Sequence, residues 1–169
     1  MRALLKYYFT YENRTILLLG IASFISSIVI AKPLIDKVKP ESTLVQEKDR
    51  KQYVGRWLGE EKTKDQSVLK WLMIRRIDGG YTVTFKEFKN SKMIFEQTEA
   101  GYWGVVSGIY FTMAREVLEG ENFVPLDVSK PEFYDAYKII KFDGKIMRYK
   151  NLESNTEFQV EKMSDTFKL

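Results

Sequence analysis

The chain has 169 residues, with 27 Lys+Arg against 23 Asp+Glu, 14% aromatic and 44% hydrophobic side chains, and neither His nor Cys. That length supports one ordinary domain, or a smaller one with an appendage. The missing residue types exclude an imidazole base, a thiolate nucleophile, a Cys/His zinc site and a disulfide framework, so the fold must rest on its own core.

Residues 1–14 form a short tail carrying Arg2, Lys6, Arg14 and the aromatic cluster Tyr7, Tyr8, Phe9 and Tyr11, a composition suited to a membrane interface. From Thr15 to Ala31 the sequence is TILLLGIASFISSIVIA, seventeen residues without a charge. As a helix rising about 1.5 Å per residue it spans roughly 25 Å. Arg14 and Lys32 at its ends can snorkel to cover the rest of a hydrocarbon core of about 30 Å. A helix buried in a soluble core would be amphipathic or shorter, so residues 15–31 are expected to cross a lipid bilayer as a transmembrane anchor. Val29-Ile30-Ala31 would suit a signal peptidase, but the apolar run exceeds the roughly 7–15 residues of a usual signal peptide, which favours an uncleaved signal-anchor. Arg2, Lys6 and Arg14 upstream nearly balance Lys32, Lys37 and Lys39 downstream, so the positive-inside count leaves orientation open. A short basic tail ahead of one span and a folded domain places residues 32–169 outside the cytoplasm. Beyond the tail, 24 basic and 22 acidic residues remain, a net charge of +2. They are interspersed and form no basic stripe, so no nucleic-acid partner is expected.

Residues 32–51 are polar, contain Pro33 and Pro40, and read as a linker with a helical turn near 41–51. Residues 52–169 form the domain. Runs rich in aromatic and β-branched side chains predict strands at about 52–60, 66–77, 80–88, 92–98, 101–106, 109–117, 132–142, 145–151 and 156–162. Asp78-Gly79 and Asp143-Gly144 sign two hairpins with type I′ turns. Looser turns are expected at 89–91, 98–100, 107–108 and 154–155, and one long connection at 118–131. Alternation separates Tyr81, Val83 and Phe85 from Thr82, Thr84 and Lys86, and Ile109, Phe111 and Met113 from Tyr110, Thr112 and Ala114. No helical period is sustained after residue 52. Eight or nine hairpin-linked strands need closure to remove their edges, which predicts an all-β antiparallel up-and-down barrel. A two-sheet sandwich is the competing arrangement.

Gly55-Arg56-Trp57 opens the first strand, and a Gly-x-Trp at that place in a small meander barrel resembles the lipocalins and the wider calycin group. Phe133-Tyr134-Asp135-Ala136-Tyr137 is similar to the family's second short motif, though without its usual preceding Thr. The DG-x-Y of Asp78–Tyr81 and the GYW-xxxSG-x-Y of Gly101–Tyr110 resemble bacterial lipocalin-like domains. The resemblance covers roughly residues 52–162, and the chain departs from the family in having no apparent helix after the last strand. It implies a barrel whose closed end is plugged by Trp57, with Arg148 or Lys162 packed across the indole. It also implies a small apolar or lipidic ligand, held at the outer face of a bacterial cytoplasmic membrane, in the periplasm.

The catalytic inventory is thin. Glu60, Glu61, Glu87, Asp135 and Glu157 include every plausible partner for paired-carboxylate hydrolysis, but nothing in the chain brings two of them together, and solvated strand faces carry such residues routinely. No phosphate loop, cofactor motif or metal-ligand spacing is present. The expectation is a protein that is not an enzyme, with no catalytic residues, cofactor or metal. The aromatic residues are the more informative set. They fill the interior of a small barrel, or they line a ligand cavity, for which Tyr81, Phe85, Trp103, Phe111 and Tyr137 are the candidates. The strand at 68–77 is apolar on both faces, which suits contact with an envelope protein partner. An accessory subunit or inhibitor that binds such a partner without a ligand is therefore the alternative to a ligand-binding barrel.

Overall fold

The computed structural model describes residue 48, residues 50–63 and residues 65–169. All described residues belong to one compact unit, Leu44–Leu169. The tail, the apolar segment 15–31 and most of the linker lie outside the described residues. No helix among those described is long and apolar enough to cross a membrane.

Among the described residues nine strands follow in order: β1 (Gly55–Lys62), β2 (Val68–Arg75), β3 (Gly80–Lys89), β4 (Lys92–Val106), β5 (Ile109–Glu119), β6 (Asn122–Pro125), β7 (Tyr134–Phe142), β8 (Ile146–Asn151) and β9 (Glu157–Met163). A 3-10 turn at Pro131–Phe133 leads into β7. Every pairing is antiparallel, and the sheet order β4-β3-β2-β1-β9-β8-β7-β5 closes through an additional β4–β5 pairing. The result is a closed eight-stranded barrel, with β6 outside the ring. β5 uses one edge twice: residues 109–113 pair with β7, and residues 116–119 pair with β6. The expected long connection at 118–131 therefore contains a hairpin strand.

Local sequence accounts for the hairpins, with one exchange of turn types. Asn90-Ser91 (φ 51° and 63°) and Ser107-Gly108 (φ 50° and 75°) have the two positive φ values of a type I′ turn. At the two Asp-Gly sites only the glycine is left-handed. Around Asp78-Gly79, the Gly79 N–H donates to the Arg76 carbonyl and the Arg76 N–H to the Gly80 carbonyl, as in a three-residue loop ending in a bulge. Asp143 instead caps its turn, its carboxylate accepting the N–H groups of Lys145 (2.9 Å) and Ile146 (2.7 Å).

The turn expected at 98–100 is absent, and β4 runs unbroken from Lys92 to Val106. What the sequence signals there is a bulge between Ala100 and Gly101. A Cβ on Gly101 would run into the Met113 carbonyl and the Ala114 backbone, so no side chain fits. Gly101→Ala is expected to lower stability by between about 1 and 3 kcal/mol, the range of an overpacked interior. A urea midpoint indistinguishable from the parent would contradict this close approach.

Side chains alternate across the barrel wall, except that Leu72 is buried on the outer row of β2 and the irregularity in β5 moves its inner row from Ala114 to Val117. Leu69, Trp71 and Arg75 of β2, Tyr81 and Val83 of β3, Gln97, Glu99 and Trp103 of β4, Tyr110, Thr112 and Ala114 of β5, Tyr137 of β7, Met147 and Tyr149 of β8, and Phe158 and Val160 of β9 are buried inside. The rings of Trp71, Phe158, Tyr149, Tyr137 and Tyr110 touch in succession, with centroids 5.0–6.1 Å apart and mostly edge-to-face. Outside, the directly opposed pairs Lys70–Glu60 (2.9 Å) and Lys86–Glu96 (3.3 Å) match the register. Such exposed pairs add little stability individually.

Candidate functional site

The two ends of the barrel differ. At the end formed by the start of β1 and the close of β9, Trp57 is fully buried. Its indole N–H donates to the Tyr53 carbonyl at 2.8 Å, and the Tyr53 ring lies 4.4 Å from Phe142. Arg50, just before β1, reaches the Ile77 carbonyl and lies over Trp103. This end is a plug. Gly55 has φ +119°, and a Cβ there would crowd the Lys162 stem, so glycine two places before the Trp is a local requirement. Gly59, buried beside it on the same face, faces Val160.

Of the two basic side chains considered for the indole, Lys162 occupies the place: it is paired with Trp57 in register and its Nζ lies 5.4 Å from the ring. Arg148 is on the outer wall, ion-paired with Glu157 at 2.9 Å. Parity explains the difference, because Arg148 lies between the inward Met147 and Tyr149.

A second cation on the indole went unforeseen. Arg75 is 2% exposed, with its guanidinium carbon 4.3 Å from the Tyr110 centroid, 5.5 Å from Trp57 and 5.7 Å from Trp103. Its Nε and Nη1 donate to the sulfurs of Met73 and Met147 at 3.4 and 3.5 Å. Ring faces and polarizable sulfur surround the charge in place of water. Extending the alternation Leu69, Trp71, Met73 by two places is the sequence signal that leads to Arg75.

Towards the middle and opposite end the interior becomes polar. Glu99 is 3% exposed, and its hydrogen bond among the described residues comes from the Gln97 amide, itself buried. Burial pushes the Glu99 carboxyl up to about 7; the Gln97 bond opposes this shift and the Asp135 charge adds to it. Burial also raises the Tyr81 and Tyr137 hydroxyls, assisted by Glu99 at Tyr81 and by Asp135 at Tyr137. Asp135 accepts a hydrogen bond from the Asn151 amide at 3.2 Å and is paired across the ladder with Thr112. Thr112 is buried, and no hydrogen bond of its hydroxyl is formed with a described residue.

Of the aromatic candidates, Tyr81, Trp103 and Tyr137 are buried inside, and Phe85 shares the inner face of β3 with Tyr81 and Val83. Phe111 is on the other side of the wall. Tyr110 and Thr112 take the inner positions of β5, and the Phe111 ring covers Gly104 from outside. Trp103 belongs to the plug, with Arg75 and Arg50, whereas Tyr81 and Tyr137 border the polar strip.

Gln97 and Glu99 were missed because polar residues in a strand ordinarily read as outward-facing, and because Glu99 lay in an expected turn. No protein-family model matches the chain, and no curated protein sequence matches it. The antiparallel closed barrel is consistent with a lipocalin-like fold, and that likeness rests on strand order and on the indole plug alone.

Proposed function

We propose that this protein is a non-catalytic, lipocalin-like binding protein whose barrel takes up a small, largely apolar molecule. On this reading residues 15–31 anchor it in a bacterial cytoplasmic membrane, with the barrel outside the cytoplasm. The observation that carries the binding reading is the strip of buried polar groups, Gln97, Glu99 and Thr112, set among aromatic rings. Burying such groups costs about 1–3 kcal/mol each unless they are hydrogen-bonded. An apolar interior with a few converging polar groups is the usual form of a small-molecule site. An eight-stranded barrel is wide enough to hold one such ligand.

The test uses the full chain in lipid nanodiscs, titrated with the neutral fluorophore N-phenyl-1-naphthylamine against empty nanodiscs. Saturable enhancement at one probe per chain is expected. Enhancement equal to that of empty nanodiscs would overturn the reading. For the topology, a reporter fused after Leu169 should be active only outside the cytoplasm, and cytoplasmic activity would overturn the placement.

A second reading, an interaction module for an envelope complex, has its own observation. Tyr102, Met113 and Tyr134 follow one another in register across the outer wall, and Tyr102 and Tyr134 are exposed, as are Leu118 and Phe123 of the β5–β6 hairpin. Co-purification of a membrane protein, abolished by Tyr134→Ser with Phe123→Ser, would favour that reading.

A further inference from the structure

The two ends of the barrel differ in charge as well as in packing. The strands alternate in direction, so the turns after β2, β4 and β7, the segment before β1 and the end of the chain all lie at the plugged end. Lys48, Arg50 and Lys51 precede β1 there, with Asp49 among them in sequence, and Arg76, Lys141 and Lys145 stand at the turns beside Asp78 and Asp143. Asp165 and Lys168 of the last residues balance one another. Lys48, Lys51, Lys141 and Lys145 are exposed, and none forms an ion pair with a described residue. At the opposite end, residues 116–133 carry Glu116, Glu119, Glu121, Asp127 and Glu132 against Lys130.

The plugged end also presents apolar tips. Ile77, Val106 and Ile140 are 49%, 55% and 44% exposed. They sit on neighbouring hairpins, tied by the Trp103 N–H donating to the Gly79 carbonyl and the Ile139 N–H to the Gly108 carbonyl, each at 2.8 Å. Leu118 and Phe123 at the other end are exposed as well, but they stand among glutamates, which an anionic surface repels. Aliphatic tips ringed by unpaired lysines fit an anionic bilayer: the ammonium groups meet lipid phosphates while the tips enter the interface. The linker joins the barrel at this same end, and a tether raises the local concentration of lipid around the face nearest its attachment. We propose that the plugged end docks on anionic lipid headgroups through Ile77, Val106, Ile140 and the surrounding lysines, directing the opposite end away from the bilayer. The proposal rests on the anchor of the reading above and adds the orientation of the barrel on its membrane.

The chain has no Cys, so single substitutions accept a bimane label. Ile77→Cys and Ile140→Cys report on the plugged end and Glu121→Cys on the other, in the full chain in nanodiscs whose lipids carry a headgroup nitroxide quencher. With about one-third phosphatidylglycerol, quenching at Ile77→Cys and Ile140→Cys should exceed that at Glu121→Cys at least about threefold. It should fall by about half or more in phosphatidylcholine alone, and likewise in about 1 M salt, where the screening length is about 3 Å. Lys141→Glu with Lys145→Glu should bring the value in anionic nanodiscs down to the neutral one; Lys48→Glu with Lys51→Glu is the second pair should the first fail to fold. Equal quenching at the two ends overturns the proposal, and stronger quenching at Glu121→Cys overturns it in favour of the opposite end facing the bilayer. Quenching indifferent to lipid charge and salt overturns the recognition of anionic headgroups. Failure of the chain to co-elute with neutral-lipid nanodiscs overturns the anchor reading. Co-elution with unquenched tips overturns the docking alone, and shielding of those tips from aqueous iodide by a co-purified acidic protein assigns the face to that protein.

Discussion

Trp57→Ala is expected to lower the stability of the barrel by about 3–5 kcal/mol, the range for removing a fully buried aromatic ring. Several losses fall together at that position. The indole is completely enclosed and joins β1 to the segment before it through the Tyr53 carbonyl. It also presents its ring to Arg75 and Lys162, two cations that would otherwise face a cavity. Trp57→Phe keeps most of the apolar volume and loses the N–H donor, so a smaller loss of about 1–2 kcal/mol is expected. Arg148→Ala, on the outer wall in a half-exposed ion pair, should stay within about 0.5 kcal/mol of the parent. Urea unfolding of the full chain in detergent, followed by tryptophan fluorescence and far-UV dichroism, measures all three. Equal midpoints for Trp57→Ala and Arg148→Ala would refute the role of the indole as the plug.

Glu99 should make the barrel lose stability as pH rises through neutrality. In the unfolded chain its carboxyl titrates near 4.5, and in the barrel near 7. The folded state therefore holds the proton more tightly. Its stabilisation is fully present below about pH 4.5 and is lost as pH climbs through about 7, a change of roughly 3 kcal/mol for a group so completely buried. Asp127 and Asp143 act in the opposite sense. Ser129 holds the first, and the N–H groups of Ile146 and Lys145 hold the second, below the usual carboxylate range. Their contributions are lost only as pH falls below about 4, outside the window in which Glu99 titrates. Urea midpoints measured from pH 5 to pH 8 should decline in the parent and stay nearly level in Glu99→Gln, the variant becoming the more stable above pH 7. Parallel curves would show that Glu99 is not the buried titrating group.

The sequence by itself determined the strand-and-turn pattern, because both are set by neighbours along the chain. Period-two alternation placed Tyr81, Val83 and Phe85 on one face, and the turn residues marked nearly every hairpin. Gly55 and Trp57 marked the opening strand for the same local reason. Tertiary structure decided what alternation leaves open. A strand has two faces, and in β5 both rows are apolar enough to be buried; the outward groove over Gly104 received Phe111, and Tyr110 went inside. β6 escaped notice because a four-residue strand is too short to show a period. Lys162, and not Arg148, reached Trp57 because β9 closes the ring against β1, a pairing of residues about a hundred positions apart that no local signal encodes. The interior position of Glu99 has the same origin. A carboxylate in a strand is ordinarily solvated, and only closure of the barrel around it buries this one.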